Sequence, residues 1–195
     1  MSHFDEEEER DIAPPPADWA QQLLNFWFKD HDMSHWFGGG AEFDEEIRSL
    51  AADWWTVLRA QPASTFLQDE QTALAAILLF DQVPRNIFRG SADAFASDEL
   101  AVAIAQGVVD RQCDQRWEKY QRLFAYLPFE HSEDMGDQRE SLRLIAQLGD
   151  EELLGYAQKH YDIVAKFGRF PHRNAVLGRQ SRPEEAEAIE AGKNW

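Results

Sequence analysis

From Leu74 to Phe80, inside the stretch QTALAAILLFDQ, no side chain is polar. A helix that is apolar all round has no face to offer water, so other elements must enclose it on every side. A buried strand has a similar composition, but the alanines and the absence of valine favour helix. The chain is therefore expected to build a layered helical body around this segment, with Pro84 ending the central helix.

The flanking segments carry the amphipathic pattern such a centre requires. Trp19, Leu23, Phe26 and Trp27 recur at helical spacing after Asp18, a residue suited to the N-cap. Phe43, Ile47, Leu50, Trp54 and Leu58 form a second stripe beyond the glycine-rich turn HWFGGGAEF. Further helices are expected from Asp98 to Asp110 with Ser97 as cap, and from Arg116 to Tyr126 with Trp117, Tyr120 and Phe124 inward. Pro128 and EHSE read as a break before a helix from Asp134 to Leu148 capped by Ser132. Asp150 caps EELLGYAQKHYDIVAKF and Gly168 closes it; Ser181 and Glu184 make a capping box for a final helix. The expectation is an all-α fold of about eight helices in antiparallel hairpins. Residues 18–195 are expected to form one helical domain, and residues 1–17, acidic and then proline-rich, a disordered leader.

Charge narrows the partners. The formal net charge is −17, and a phosphate backbone requires a basic stripe, so no nucleic acid is expected. No apolar run approaches the roughly 18 residues of a membrane span, and the acidic N-terminus is the reverse of a secretory signal. A single cysteine, Cys113, suits a reducing compartment. These features point to a cytoplasmic protein with no membrane association. The charge is uneven, however. Residues 1–53 hold fourteen acids against three bases, whereas residues 159–182 hold six bases against one acid. The second segment includes RFPHRNAVLGRQSR, with four arginines.

Polar residues gather at three breaks, DQVPRNIFRG, LPFEHSED and FGRFPHRNAVLGR, and functional sites favour such places. PRNIFRG and PHRNAVLGR echo one another, each placing an Arg-Asn pair just after a proline. Together with NFWF, HWF and FD upstream, these motifs resemble bacterial domain-of-unknown-function family 924 over nearly the whole folded chain. The resemblance implies an all-helical, tetratricopeptide-like architecture and carries little about activity. The family's DQFPRN reads DQVPRN here; Val83 in place of an aromatic touches packing and leaves the polar positions intact.

Arg85, Arg89, Arg169, Arg173 and Arg179 carry planar forks that grip a carboxylate or phosphate through two bonds at once. They either brace the breaks by pairing with Asp81, Glu130, Glu133 and Asp134, or line an anion pocket in which Asn86 and Asn174 orient the ligand. Asparagine at such a turn also bonds the backbone for purely local reasons. His131 lies between Glu130 and Glu133; a carboxylate that orients an imidazole makes a general base near neutral pH, with Glu130 as the expected partner. His172, flanked by arginines, is the second candidate, because positive neighbours keep it neutral. His160 shares a stripe with Tyr156, Ile163 and Phe167 and is expected to be a satisfied core residue. Cys113 has flanking arginines but no placed histidine.

No histidine–carboxylate or cysteine spacing suits a metal, and no cofactor loop or nucleophile elbow is present in the sequence. Neither metal nor cofactor is expected. The leading reading is a protein that binds a small anionic molecule, a phosphorylated one included, among these Arg, His and Asn side chains, with hydrolysis or group transfer suited to His131 and Glu130. The competing class is a non-catalytic helical adaptor for a protein or peptide, its arginines serving only as braces.

Overall fold

The computed structural model describes residues 12–191. Most of the expected leader, residues 1–11, and the final residues 192–195 lie outside that range; residues 12–16 carry no helix. The described residues are helical, joined by turns and short 3₁₀ segments. In chain order the helices are α1 (Trp19–Asn25, prolonged by a π turn over Phe26–Asp30), α2 (Met33–Gly38), α3 (Ala41–Leu58), α4 (Glu70–Ile77), α5 (Val83–Ile87), α6 (Asp98–Asp110), α7 (Lys119–His131), α8 (Met135–Ala146), α9 (Glu151–Phe167) and α10 (Ala186–Ala191).

The apolar segment is the centre, as its composition requires. Residues 73–84 are buried without a break, packed against α1, α6 and α7, while α5 lies along α3. One apolar cluster runs through the body, with Trp27, Phe66, Phe80, Phe124 and Phe129 among its largest fully buried members. Beyond this centre, α7 packs on α8 and α8 on α9 through short turns, as helical hairpins.

Pro84 does not end the central helix. A π turn over Leu78–Gln82 links α4 directly to α5. Proline cannot donate to the carbonyl four residues earlier, Phe80 O, and its ring crowds that oxygen. The widened turn relieves the crowding, and the Ser97 hydroxyl donates to Phe80 O at 2.6 Å in place of the missing bond. Ser97 therefore occupies the N-cap position of α6 without capping it; its hydroxyl also accepts from Trp55 Nε1 at 2.9 Å.

Pro128 is likewise inside a helix, since α7 runs on to His131. The expected helix ending at Tyr126 was too short, and its start at Arg116 too early. The HWF triplet, expected in a turn, belongs to α2, and the chain turns at Gly39 and Gly40 instead. Asp18 precedes α1, but its side chain accepts from no backbone N–H of the first turn. Asp134 rather than Ser132 caps α8, accepting from the Gly136 and Asp137 amides. In the last turn the capping carboxylate is Glu185 rather than Glu184, accepting from the Arg182 amide at 2.8 Å. Two expected caps hold: Asp150 accepts from the Glu152 and Leu153 amides, and Gly168 ends α9 at φ 70°.

Candidate functional site

The two prolines buried within helices determine what the polar residues face. Asp81 sits in the π turn with only 1% of its side chain exposed. His131, at the last position of α7, brings Nδ1 to 2.7 Å from Asp81 Oδ1 and 3.0 Å from Oδ2. Gln82 Nε2 donates to Oδ2 at 2.6 Å, and Arg85 Nη1 stands 3.1 Å from Oδ1. Arg85 then turns its fork to Asp98, the first residue of α6, with Nη1–Oδ1 at 2.8 Å and Nη2–Oδ2 at 2.9 Å.

The third break closes over this group. Arg173 donates from Nη2 to His131 O at 2.9 Å and reaches Asp98 Oδ2 from Nη1 at 3.4 Å, a long contact. Its guanidinium lies between two rings, 4.6 Å from the Phe95 centroid and 4.5 Å from Phe170. Arg173 Nε is buried and makes no hydrogen bond among the described residues. DQVPRNIFRG, LPFEHSED and FGRFPHRN thus meet at one place, with Arg85, His131 and Arg173 in contact through shared partners.

Electrostatics follow from this geometry. Burial would raise the Asp81 carboxyl, but Arg85 and His131 outweigh it and hold the group at about 2. Burial lowers His131, against the attraction of Asp81 and with the repulsion of Arg85. His131 is therefore neutral near pH 7. With Asp81 ionised, Nδ1 carries the proton and Nε2 is the basic nitrogen. Burial, with Arg85 beside it, pushes Arg173 down to about 10, while the attraction of Asp98 opposes the shift only in part. Arg85 moves the other way: Asp81 and Asp98 together raise it despite burial.

A second cluster lies alongside. Glu133 takes Arg179 Nη1 and Nη2 at 2.6 and 3.0 Å and the Phe170 amide at 2.7 Å. Arg179 Nε donates to Asn174 Oδ1 at 3.0 Å, and Asn174 Nδ2 donates to Glu185 at 3.0 Å. Glu185, fully buried, also accepts from Arg169 and from Arg182. Arg169, Asn174 and Arg179 are thus committed to Glu133 and Glu185. Arg89 lies elsewhere, exposed and 3.2 Å from Asp44, with Asn86 Oδ1 as a weaker partner at 3.4 Å. Asn86 Nδ2 bonds its own helix at Gln82 O.

Glu130 is not the partner of His131. Consecutive residues of one helix point about 100° apart, and once α7 continues through Pro128 these two diverge. Glu130 instead pairs with His160 Nδ1 at 3.0 Å. His160 also bonds Tyr156 O and packs on Phe170, 5.5 Å between rings. His172 packs on Phe170 as well, and burial with Arg173 pushes it down to about 4. Asp98 and Phe95 were not singled out in the sequence. The available signal was Asp98 at the first turn of an amphipathic helix, a position that also has the bland explanation of helix polarity.

No group of three or more His, Cys, Asp or Glu side chains suited to a metal occurs among the described residues. An all-helical body with three proline-containing segments folded onto one buried Asp–His–Arg cluster defines the class. The family model described as bacterial protein of unknown function, number 924, matches residues 23–193, so the chain belongs to that family. A solved structure of a protein of unknown function from Agrobacterium tumefaciens is similar, at 38% identity and a TM-score of 0.84, covering 90% of this chain and 99% of that one. No curated protein matches.

Proposed function

We propose that the Asp81–His131–Arg85–Asp98–Arg173 cluster binds a small anionic molecule, with His131 as the base available for hydrolysis or group transfer. The observation that carries this reading is Arg173. It is a guanidinium buried to 7% exposure, with one nitrogen unbonded among the described residues and its ion-pair contact, to Asp98, stretched to 3.4 Å. Removing a cation from water costs several kcal/mol, and a brace with no other task is replaced by apolar packing with little loss. An anion supplies the missing partner. The remaining arginines of the region are paired with Glu133, Glu185 and Asp44, outside this cluster, which confines the reading to Arg85 and Arg173. The Asp81–His131 pair sets one imidazole nitrogen and leaves the other basic, the arrangement general-base chemistry needs.

The net charge of −17 favours a small ligand over nucleic acid, and the lone cysteine favours the cytoplasm. Consistent with that location, no helix among the described residues is long and apolar enough to cross a membrane. The consecutive α7, α8 and α9 hairpins support a tetratricopeptide-like arrangement. A second reading, the adaptor, has one observation in its favour: Met33 and Phe37 are exposed one turn apart on α2.

Thermal melts of wild type and Arg173→Ala, with and without acetate or phosphate at matched ionic strength, test the proposal. An anion at a hundredfold its Kd should stabilise wild type by about 2.7 kcal/mol, and the variant should lose that response. A wild type indifferent to both anions, with Arg173→Ala destabilised by roughly 3–5 kcal/mol as for a broken buried pair, would return the cluster to a bracing role.

A further inference from the structure

The Arg-Asn echo in the sequence acquires a meaning in three dimensions. Pro84-Arg85-Asn86 and Pro171-His172-Arg173-Asn174 approach from different parts of the chain, and both arginines reach the same carboxylate, Asp98. In each unit the asparagine oxygen accepts from a later arginine, Arg89 or Arg179, which holds a separate carboxylate. The two units thus support a pair of guanidinium groups around one carboxylate seat. We propose that Asp98 stands in the seat of the ligand's own charged group, and that the ligand is a monoanionic carboxylate which displaces it. This rests on the reading of the cluster as an anion site.

Exposure, retained bonds, charge balance and fork geometry select Asp98 and the charge type. Asp98 is the outer acid of the pair, 17% exposed against 1% for Asp81, so it can turn to water while Asp81 cannot. Arg85 keeps Asp81 when Asp98 leaves, together with its bond to Asp81 O at 2.6 Å. Arg173 keeps the His131 carbonyl, which carries no full charge. With Asp98 withdrawn and His131 neutral, the seat contains two guanidinium groups and one buried carboxylate. One negative charge restores neutrality; a dianion overshoots it. Asp98 also marks the geometry, two coplanar oxygens at 2.8 and 2.9 Å from the Arg85 fork. Phe95, under both guanidinium groups at 5.7 Å from Arg85 and 4.6 Å from Arg173, supplies an apolar wall beside the seat.

The test compares wild type with Asp98→Asn in acetate, phosphate and chloride at matched ionic strength, reading affinity from thermal shifts and calorimetry. Wild type should respond to acetate more than to phosphate, and Asp98→Asn should bind acetate at least tenfold more tightly, since its competitor has lost its charge. A crystal structure of wild type grown in acetate gives a second readout that needs no variant: acetate on the Arg85 fork with Asp98 turned outward. If wild type responds to anions but Asp98→Asn binds no more tightly, or Asp98 stays on Arg85 beside the acetate, displacement is wrong and the anion site stands. If acetate stabilises only the variant, it merely replaces the charge that the substitution removed, and Asp98 is a brace. If neither protein responds to any anion, the anion site itself fails.

Discussion

The two arginine clusters of this protein lie side by side and differ in how completely their charges are matched. Around Glu133 and Glu185, forks meet carboxylates at 2.6 to 3.0 Å, and Asn174 links the two acids. The arginines there keep some exposure. Around Asp81 and Asp98 an imidazole takes part, and Arg173, at 7% exposure, is buried more deeply than any of those arginines and is left with a long contact and an unbonded nitrogen. A complete set of short bonds needs nothing further and suits a brace for the segment from Arg169 to Arg182. A buried set with one cation short of partners is costly on its own and suits a site. Similar residues thus differ in how fully their charges are met, a difference concentrated at Arg173.

That contrast is most easily broken at Arg85. Arg85→Ala leaves Asp81 fully buried without its cation, and the expected loss is roughly 3–5 kcal/mol. For a chain of this size that lowers Tm by about 6–20 °C. Arg169→Ala in the brace should cost far less, about 1 kcal/mol, because Arg182 still holds Glu185. Urea denaturation of both variants makes the comparison; equal losses would show that the clusters do not differ in kind.

Acid sharpens it next. His131 and His172 are both held below the ordinary histidine value, so the unfolded chain takes up protons before the folded one does. Their contribution is whole above about pH 6.5 and declines as pH falls toward the folded value, about 4 for His172. Asp81, held at about 2, adds a separate loss as pH falls from about 4 to 2, on the order of 2 kcal/mol. Glu133 is lowered too, by Arg179 and the Phe170 amide against burial, and contributes with the same sign. Stability measured from pH 8 to 3 should therefore fall in two stages, and His172→Gln should flatten the first. A flat profile between pH 6.5 and 4.5 would mean that neither imidazole is buried in the neutral form.

The central helix was legible because Leu74 to Phe80 admits no solvent face, and that alone fixes an enclosed helical body. The meeting of the three breaks was legible from their shared polar character. The pairing within them was not, because two prolines read as stops sit inside helices. Ser97 compensates for Pro84 by bonding Phe80 O, seventeen residues away in sequence, a bond that no local pattern announces. Extending α7 through Pro128 turns Glu130 away from His131 and toward His160, so the error in the helix carried over into the expected acid–base pair. Asp98 escaped notice because an acid at a helix start already has a local explanation.

The smallest expected effect tests the repeated Pro-Arg-Asn units against each other. Each unit has an outer arginine bonded to its asparagine: Arg89 on Asp44, and Arg179 on Glu133. Arg89 is 63% exposed and its bonds run to 3.2 and 3.4 Å, so solvent and salt screen what it contributes. Arg179, at 24% exposure, makes shorter bonds to Glu133 and also donates to Phe170 O, which fixes the backbone that carries Arg173. Arg89→Ala should change stability by less than about 0.5 kcal/mol, whereas Arg179→Ala should cost roughly 1–2 kcal/mol. Added salt should erase the first difference and leave most of the second. The sharper readout is anion response: Arg179→Ala loosens the support under Arg173 and should weaken acetate binding, while Arg89→Ala should leave it unchanged. Equal anion responses in the two variants would show that the echo in the sequence has no counterpart in how Arg173 is held.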